Sequence, residues 1–295
     1  MKYRIPKFLG VLFVVLLVSC ENPESPVDLR IQTIHLDSLS QVIPVTDSVV
    51  VPVLYDTLLI NNLSSITEKK EQFINQILPS ILIVKFHHQL NYDKIERIIK
   101  KKTSSEKVSK KEQALLDSLM IKYDALTPDN LLVQLKEHPT SLILAQAALE
   151  SGWGQSRFAL EGYNLFGMTT VSSDLNSQKL LSVNSGQKKI FMKKYDNVYE
   201  SVDHYLLTIG KSNAYKKLRN KRFEEGDVYE LINELNKYSI NADYKKMLKQ
   251  VIIWNDLEKY DKCEIDSRYI YNKGSICYIF KQFCEGNIPD YLFEN

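Results

Sequence analysis

The sequence has few cysteines, four in all, and their positions argue against a metal site. Apart from Cys20, they are Cys263, Cys277 and Cys284, close to the end of the chain. Their spacing matches no zinc-binding pattern and no histidine lies near them, so we expect no metal site. In an exported protein, one disulfide bond and one free thiol is the simplest arrangement of these three residues.

Other absences exclude whole classes of protein. The 38 basic residues nearly balance the 36 acidic ones, leaving a formal net charge of +2, so nothing indicates a nucleic-acid partner. No apolar run after residue 18 is long enough to cross a membrane. Asp203 and His204 are adjacent in "DHYLL", but no serine or cysteine nucleophile motif accompanies them, which argues against nucleophilic catalysis of that kind.

What the chain does have at its start is an export signal. Lys2, Arg4 and Lys7 precede an apolar stretch from residue 8 to 18, and the sequence then reads "LVSC", ending at Cys20. This pattern is a signal peptide, and a cysteine at the cleavage site resembles a bacterial lipobox. The resemblance implies that Cys20 is lipidated and anchors the mature protein to a membrane. An ordinary signal peptide followed by an incidental cysteine is the alternative.

Composition and periodicity divide the chain into five parts. We expect a lipoprotein signal peptide over 1–19, a tether over 20–67, a helical lead-in over 68–130, a main domain over 131–260 and a cysteine-containing extension over 261–295. The tether carries several prolines and many Ser and Thr residues. Its second half is rich in β-branched residues, so we expect it to lie partly extended along the domain.

Helical patterns begin near Lys69, where apolar residues recur at helical steps up to a kink or a helix boundary at Pro79. A second helix is predicted from Ser109 to Ala125. The next begins at "TP", residues 127 and 128, because Thr caps the helix and Pro suits its first position.

The following helix is predicted to start at Thr140 or Ser141 and to end at Gly152. Between Met168 and Tyr195, short apolar alternation and the turn "NSG" predict a β-hairpin or a long lobe. Helical patterns then resume. The sequence therefore predicts an α+β fold, mostly α, with a small β-hairpin lobe.

One carboxylate, Glu150, lies in the otherwise small and apolar stretch "AQAALESGWGQSRF". Gln146, four residues earlier, shares its side of the helix. The helix macrodipole and desolvation by Trp153 and the Phe166 region both favour the protonated acid. Such a group suits a general acid for glycosidic cleavage, because it must donate a proton to the departing sugar oxygen. The alternative is a surface glutamate beside an incidental tryptophan.

The stretch "LILAQAALESGWGQSRFALEGYNLFGM" resembles the signature of the bacterial glucosaminidase family, glycoside hydrolase family 73, and within it the Bax-like lipoprotein branch. "EKKEQFINQILPSIL" resembles the helical lead-in of Bax-like proteins, and "KYSINADYKKML" resembles the distal tyrosine motif of the family. The resemblance implies a lysozyme-like fold, residues 131–260 as catalytic core, and hydrolysis of the β-1,4 bond after N-acetylglucosamine in peptidoglycan, without a cofactor.

The resemblance also implies site residues. Glu150 is the expected proton donor, and the tyrosine of the distal motif falls on Tyr238. In several family members an acidic residue on the β-lobe takes part, but residues 162–198 contain no glutamate, so Asp174 is the candidate. Assistance by the N-acetyl oxygen of the substrate is the alternative to this second carboxylate.

Sugar binding needs flat apolar faces and amide-type hydrogen bonds. Five residues of the signature and of the lobe that follows it offer these groups: Gln146, Trp153, Asn164, Phe166 and Tyr195. Trp153 and Phe166 are equally consistent with a structural wall behind Glu150.

These observations favour a lipid-anchored endo-β-N-acetylglucosaminidase of the bacterial cell envelope, on the periplasmic or outer-membrane face. Its expected partners are peptidoglycan glycan strands and the membrane, with no nucleic acid, and no protein partner is indicated. One rival is a catalytically silent glycan-binding lipoprotein, suggested by the missing glutamate and the tether. Another is an endoglycosidase acting on N-glycan chitobiose.

Overall fold

The computed structural model describes residues 27–60, 63–170, 179–181 and 191–272. Within them, residues 27–30 and 266–272 form a small unit, and the described residues from 31 to 265 form the main one. In the small unit, strand β1 (Val27–Leu29) pairs antiparallel with β9 (Ile270–Asn272). The predicted signal peptide, Cys20, Asp174, Cys277 and Cys284 lie outside the described residues.

The main unit is mostly helical, as the sequence predicted. Its described helices are α1 (Ile66–Thr103), α2 (Lys110–Tyr123), α3 (Pro128–Leu135), α4 (Thr140–Ser151), α5 (Arg157–Gly162), α6 (Val198–Lys211), α7 (Lys216–Phe223), α8 (Val228–Asn233) and α9 (Tyr244–Trp254). Short 3₁₀ segments lie at Leu39–Gln41, Asn213–Tyr215 and Leu257–Lys262. Among the described residues, no helix combines the length and apolarity needed to cross a bilayer.

The strands of the main unit form three small sheets. Two of them are parallel pairs: β2 (Gln32–Ile34) with β4 (Val53–Tyr55), and β3 (Val49–Val50) with β8 (Glu264–Ile265). The third is antiparallel, with β7 (Phe191–Lys193) between β5 (Thr169–Thr170) and β6 (Lys179–Leu181). It occupies the stretch where a hairpin was predicted, and the "NSG" turn lies outside the described residues.

Helix α1 continues without a break through Pro79, so the predicted alternative of a helix boundary there is wrong. Pro79 removes one backbone hydrogen bond from the helix. Every residue from Ile77 to Val84 is buried, and five of them pack in the main apolar core: Ile77, Leu78, Ile81, Leu82 and Val84. The burial of so many side chains outweighs the lost bond.

Three helix starts lie where the sequence predicted them. The Ser109 side chain accepts the Glu112 N–H while the Glu112 side chain accepts the Ser109 N–H, which is a capping box. Thr127 accepts the Asn130 N–H at the start of α3, with Pro128 in the first position. Helix α4 begins at Thr140, as expected.

Helix α4 has an N-terminal cap that its own neighbours do not supply. The preceding residue is Pro139, which makes no side-chain cap bond. The Asp261 carboxylate instead accepts the Ser141 N–H and the Ser141 hydroxyl, both at 2.7 Å. A carboxylate is favoured at a helix N-terminus because it meets unpaired N–H groups and the positive end of the dipole.

Residues 31–60 pack against the helical body through buried amide side chains. Gln76 of α1 is fully buried; its Oε1 accepts the Leu59 N–H at 2.9 Å and its amide donates to the Leu59 carbonyl at 3.3 Å. Asn75 likewise accepts the Val45 N–H at 3.0 Å. The strands β3 and β4 lie in the stretch where extended structure was predicted.

Replacing Gln76 with alanine should destabilise the fold, because two backbone groups of Leu59 lose their partners in a buried position. We expect the free energy of unfolding to fall by about 2 kcal/mol. Urea unfolding followed by circular dichroism measures it. Gln89→Ala, on the exposed part of the same helix, removes a surface bond to Asp93 and serves as the control. Equal losses in both variants would contradict the structural role of Gln76.

Candidate active site

Glu150 lies in the last turn of α4, two residues before Gly152, which ends the helix in a left-handed conformation with φ of 61°. This is the helix end that the sequence predicted. Nearly all of α4 before this point is buried, whereas Glu150 is exposed. The helix therefore carries its carboxyl group from the core to the surface.

The chain turns sharply after Glu150. Trp153 and Gly154 also have positive φ, 57° and 75°. A Cβ atom on Gly154 would lie 2.7 Å from Ile60 Cδ1 and 3.0 Å from the Phe73 ring. Only glycine fits here, because both the backbone conformation and the close approach exclude a side chain. The turn thus lies directly against α1 and residues 31–60.

The "NLFGM" segment passes beside the carboxyl group. A Cβ atom on Gly167 would lie 3.9 Å from Glu150 Oε2, and the φ of 67° at this residue also favours glycine. Asn164 holds the segment in place: its Oδ1 accepts the Met168 N–H at 2.9 Å, and its Nδ2 donates to the Met168 and Lys193 carbonyls at 2.8 and 2.9 Å. The segment is therefore tied to strand β7.

Four tyrosines from different elements interact electrostatically with Glu150: Tyr205 of α6, Tyr215 of the 3₁₀ segment Asn213–Tyr215, Tyr238 in the loop after α8, and Tyr244 of α9. The Tyr238 ring is central, because it stacks on Tyr244 with ring centroids 5.4 Å apart and contacts Tyr205 and Tyr215 at 6.5 and 6.2 Å. We call this group the tyrosine cluster.

The carboxyl group of Glu150 is largely surrounded by protein atoms, although the residue as a whole is exposed. This desolvation raises the pKa of Glu150 above its usual value, because burial disfavours the charged form. A hydrogen bond from the Tyr244 hydroxyl acts in the opposite direction and is the smaller effect. The result is a carboxyl group that keeps its proton to higher pH and is open to solvent.

Gln146 is completely buried. Its Oε1 accepts the Tyr205 hydroxyl at 2.5 Å, and its Nε2 donates to the Tyr244 hydroxyl at 3.2 Å. Gln146 and Glu150 do converge, as their spacing indicated, because both reach Tyr244. Its amide is enclosed and already bonded to these two tyrosines, and contact between Gln146 and a sugar stays a prediction.

Three other predicted sugar contacts are also interior. Asn164 is buried and its amide bonds only backbone, Phe166 is buried and stacks on Tyr205 at 4.1 Å, and the buried Tyr195 is hydrogen-bonded to His204 at 2.6 Å. Contact of these side chains with a sugar stays a prediction. Trp153 remains partly exposed, with its ring against Phe73 at 5.5 Å.

Asp203 and His204 have different partners. The Asp203 carboxylate is 2.7 Å from His88 Nε2 on α1, and it also meets the Lys122 ammonium at 3.4 Å. Burial and the nearby Lys193 lower the pKa of His204 to about 4, so this ring is neutral near pH 7. Both residues tie helices and strands together and lie outside the tyrosine cluster.

Sequence reasoning singled out Tyr238 but missed the other three tyrosines. The Tyr238 hydroxyl is buried, and no described group hydrogen-bonds it. Tyr244, from the same quoted stretch "KYSINADYKKML", is the phenol bonded to Glu150. Nothing local distinguishes Tyr205 or Tyr215 from ordinary amphipathic tyrosines. Within the described ranges, no group of three or more His, Cys, Asp or Glu residues could hold a metal ion.

Comparison with known proteins gives a consistent result. Residues 132–257 match the family model described as glucosaminidase, mannosyl-glycoprotein endo-beta-N-acetylglucosaminidase. The exo-glucosaminidase LytG of Bacillus subtilis is 27% identical over 167 residues, which cover 52% of this chain and 57% of that protein.

Two further relatives match over shorter regions. Protein bax of Escherichia coli is 34% identical over 84 residues, covering 28% of each chain. The peptidoglycan hydrolase FlgJ of Salmonella typhimurium is 27% identical over 124 residues, covering 39% of each. The chain thus spans less than two thirds of the length of each relative. The matched region holds α4, the "NLFGM" segment and the whole tyrosine cluster, and residues 132–257 are a domain of the glucosaminidase family.

Proposed function

We propose that this protein is a peptidoglycan hydrolase, an endo-β-N-acetylglucosaminidase that cleaves the β-1,4 bond after N-acetylglucosamine with Glu150 as general acid. The observation that carries the proposal is Glu150, an exposed residue within a glucosaminidase-family domain, whose carboxyl pKa is raised by the protein around it. A group that stays protonated can donate its proton to the departing sugar oxygen.

The substrate proposal draws on the relatives. FlgJ is described as a peptidoglycan hydrolase and LytG as an exo-glucosaminidase, and together these names support hydrolysis of peptidoglycan at a glucosamine unit. We favour the endo mode of cleavage because it is the mode that the resemblance of the sequence to the glucosaminidase family implies. The description of the family model makes a mannosyl-glycoprotein the second candidate substrate.

The second catalytic group is proposed from the sequence alone. Asp174 is the candidate carboxylate, and assistance by the substrate N-acetyl oxygen is the alternative. Tyr238 is proposed to act within the tyrosine cluster. Because its hydroxyl is buried behind Tyr244, direct contact with a sugar requires that hydroxyl to become exposed.

Glu150→Gln should abolish hydrolysis while keeping the fold, because the amide cannot donate the proton. Loss of a general acid lowers the rate by roughly 100-fold or more. Purified sacculi are digested, reducing ends are counted and products are identified by mass spectrometry. Glu161→Gln, a change of the same kind at an exposed position of α5, is the control.

The reaction products distinguish the candidate modes of cleavage and the candidate substrates. Internal fragments ending in N-acetylglucosamine support the endo mode, and single sugars released from strand ends indicate the exo mode. Binding of sacculi without new reducing ends in the wild type, or undiminished activity in Glu150→Gln, would overturn the proposal. Cleavage of a high-mannose glycoprotein in place of sacculi would identify the second candidate substrate.

The acid role predicts a pH dependence. Glu150 must carry a proton to act, so activity is lost as pH rises through its pKa, and the raised pKa moves this loss to higher pH than for an ordinary glutamate, about 4.3. Titration of the ¹³C-labelled carboxyl group by NMR, assigned with Glu150→Gln, measures it directly. A midpoint at or below the ordinary value would contradict the assignment.

We further propose that the protein is a cell-envelope lipoprotein anchored through Cys20. The support is the "LVSC" sequence after an export signal. Cys20→Ala should shift the protein from the membrane fraction to the soluble fraction or leave the signal peptide uncleaved, and mass spectrometry of the wild type should show acyl chains on Cys20. Identical fractionation of both proteins would count against the anchor.

A further inference from the structure

Gln146 and Glu150 lie one helical turn apart on α4 and meet the same phenol. Gln146 sits beneath the site, completely buried, between Tyr205 of α6 and Tyr244 of α9. It has no exposed surface with which to meet a substrate. Its effect on the chemistry must therefore pass through the tyrosines that it bonds.

The two bond lengths show which way the amide faces. The Tyr205 oxygen is 2.5 Å from one amide atom, which suits O–H···O and is too short for N–H···O. The Tyr244 oxygen is 3.2 Å from the other, which suits N–H···O. The amide carbonyl thus accepts from Tyr205, and the amide nitrogen donates to Tyr244.

This orientation fixes the direction of the Tyr244 proton. An amide nitrogen can only donate, so the Tyr244 oxygen is an acceptor toward Gln146. Its single proton is then left for its other neighbour, the Glu150 carboxyl group, with which it forms a hydrogen bond. If the amide were reversed, its carbonyl would take the Tyr244 proton and Glu150 would lose its donor.

Ring stacking fixes the positions of the Tyr205 and Tyr244 side chains relative to the Gln146 amide. The Tyr205 ring stacks on Phe166 at 4.1 Å, and the Tyr244 ring stacks on Tyr238 at 5.4 Å. Ring stacking limits rotation, so each hydroxyl meets Gln146 at a set position. Phe166 and Tyr238 therefore support the bonds although neither one makes them.

We propose that Gln146 is a positioning residue that directs the Tyr244 hydroxyl proton onto Glu150, so that the phenol stabilises the carboxylate formed when Glu150 gives its proton to the sugar oxygen. This inference rests on the proposed function and extends it. Among the described residues, the tyrosines that interact electrostatically with Glu150 are Tyr205, Tyr215, Tyr238 and Tyr244. Of these, Tyr244 is the donor to the carboxyl group.

The test compares Gln146→Met and Tyr244→Phe with the wild type. Tyr244→Phe removes the donor and Gln146→Met removes the group that directs it, so the midpoint of Glu150 titration should move upward, by about one pH unit in Tyr244→Phe and by less in Gln146→Met. We expect kcat on sacculi to fall roughly tenfold with KM nearly unchanged, because neither group binds the substrate. The double variant should resemble Tyr244→Phe alone.

A matched control separates positioning from simple destabilisation. Gln134→Met changes another buried glutamine, whose amide donates to the Tyr123 carbonyl at 3.0 Å. It should lower stability without moving the Glu150 midpoint. Circular dichroism verifies that each variant is folded.

The NMR titration does not depend on turnover, so it keeps this inference separate from the proposed function. An unchanged midpoint in Gln146→Met, with a shifted one in Tyr244→Phe, would overturn the role of Gln146. An unchanged midpoint in both variants would overturn the proposed effect of Gln146 and Tyr244 on Glu150. If the wild-type protein is inactive but its Glu150 midpoint still shifts in Gln146→Met, the proposed function is wrong. The positioning role of Gln146 is then still supported.

Discussion

The burial of helix α4 is the constraint on which the rest of the structure depends. Every residue from Thr140 to Ala148 is buried, so each polar group of this stretch needs a partner inside the protein. Asp261 satisfies Ser141 at one end, and the tyrosine cluster satisfies Gln146 near the other. Only the last turn reaches the surface, where it presents Glu150. An acid carried by so enclosed a helix is held in one position before any substrate arrives.

Neutral amide side chains connect this core to its surroundings. Gln76 bonds the backbone of residues 31–60, Asn164 bonds strand β7, and Gln146 bonds two tyrosines. An amide offers a donor and an acceptor, so it can replace a backbone partner. Burying it costs much less than burying a charge. These bonds fix the walls around Glu150 without adding a charge beside its carboxyl group, and desolvation can then set its pKa.

Features determined by neighbouring residues could be predicted from the sequence, and features formed by distant residues could not. The capping box at Ser109 and the left-handed helix end at Gly152 follow from short-range rules. Pro79 was misjudged because burial of the surrounding side chains, a tertiary effect, outweighs a local penalty. The cap from Asp261 and the bond from Tyr244 to Glu150 each join segments about 100 residues apart, and no local pattern reports them.

The same distinction applies to the residues around Glu150. Gln146, Asn164 and Phe166 belong to the recognisable signature, yet each is interior. Residues that support a catalytic acid are as restricted by geometry as the acid itself, so they appear in the same motif as residues that touch a substrate. Contact with a sugar, in contrast, requires exposed surface. A signature drawn mostly from the interior therefore reports how Glu150 is held, and it carries little information about the surface that a substrate would contact.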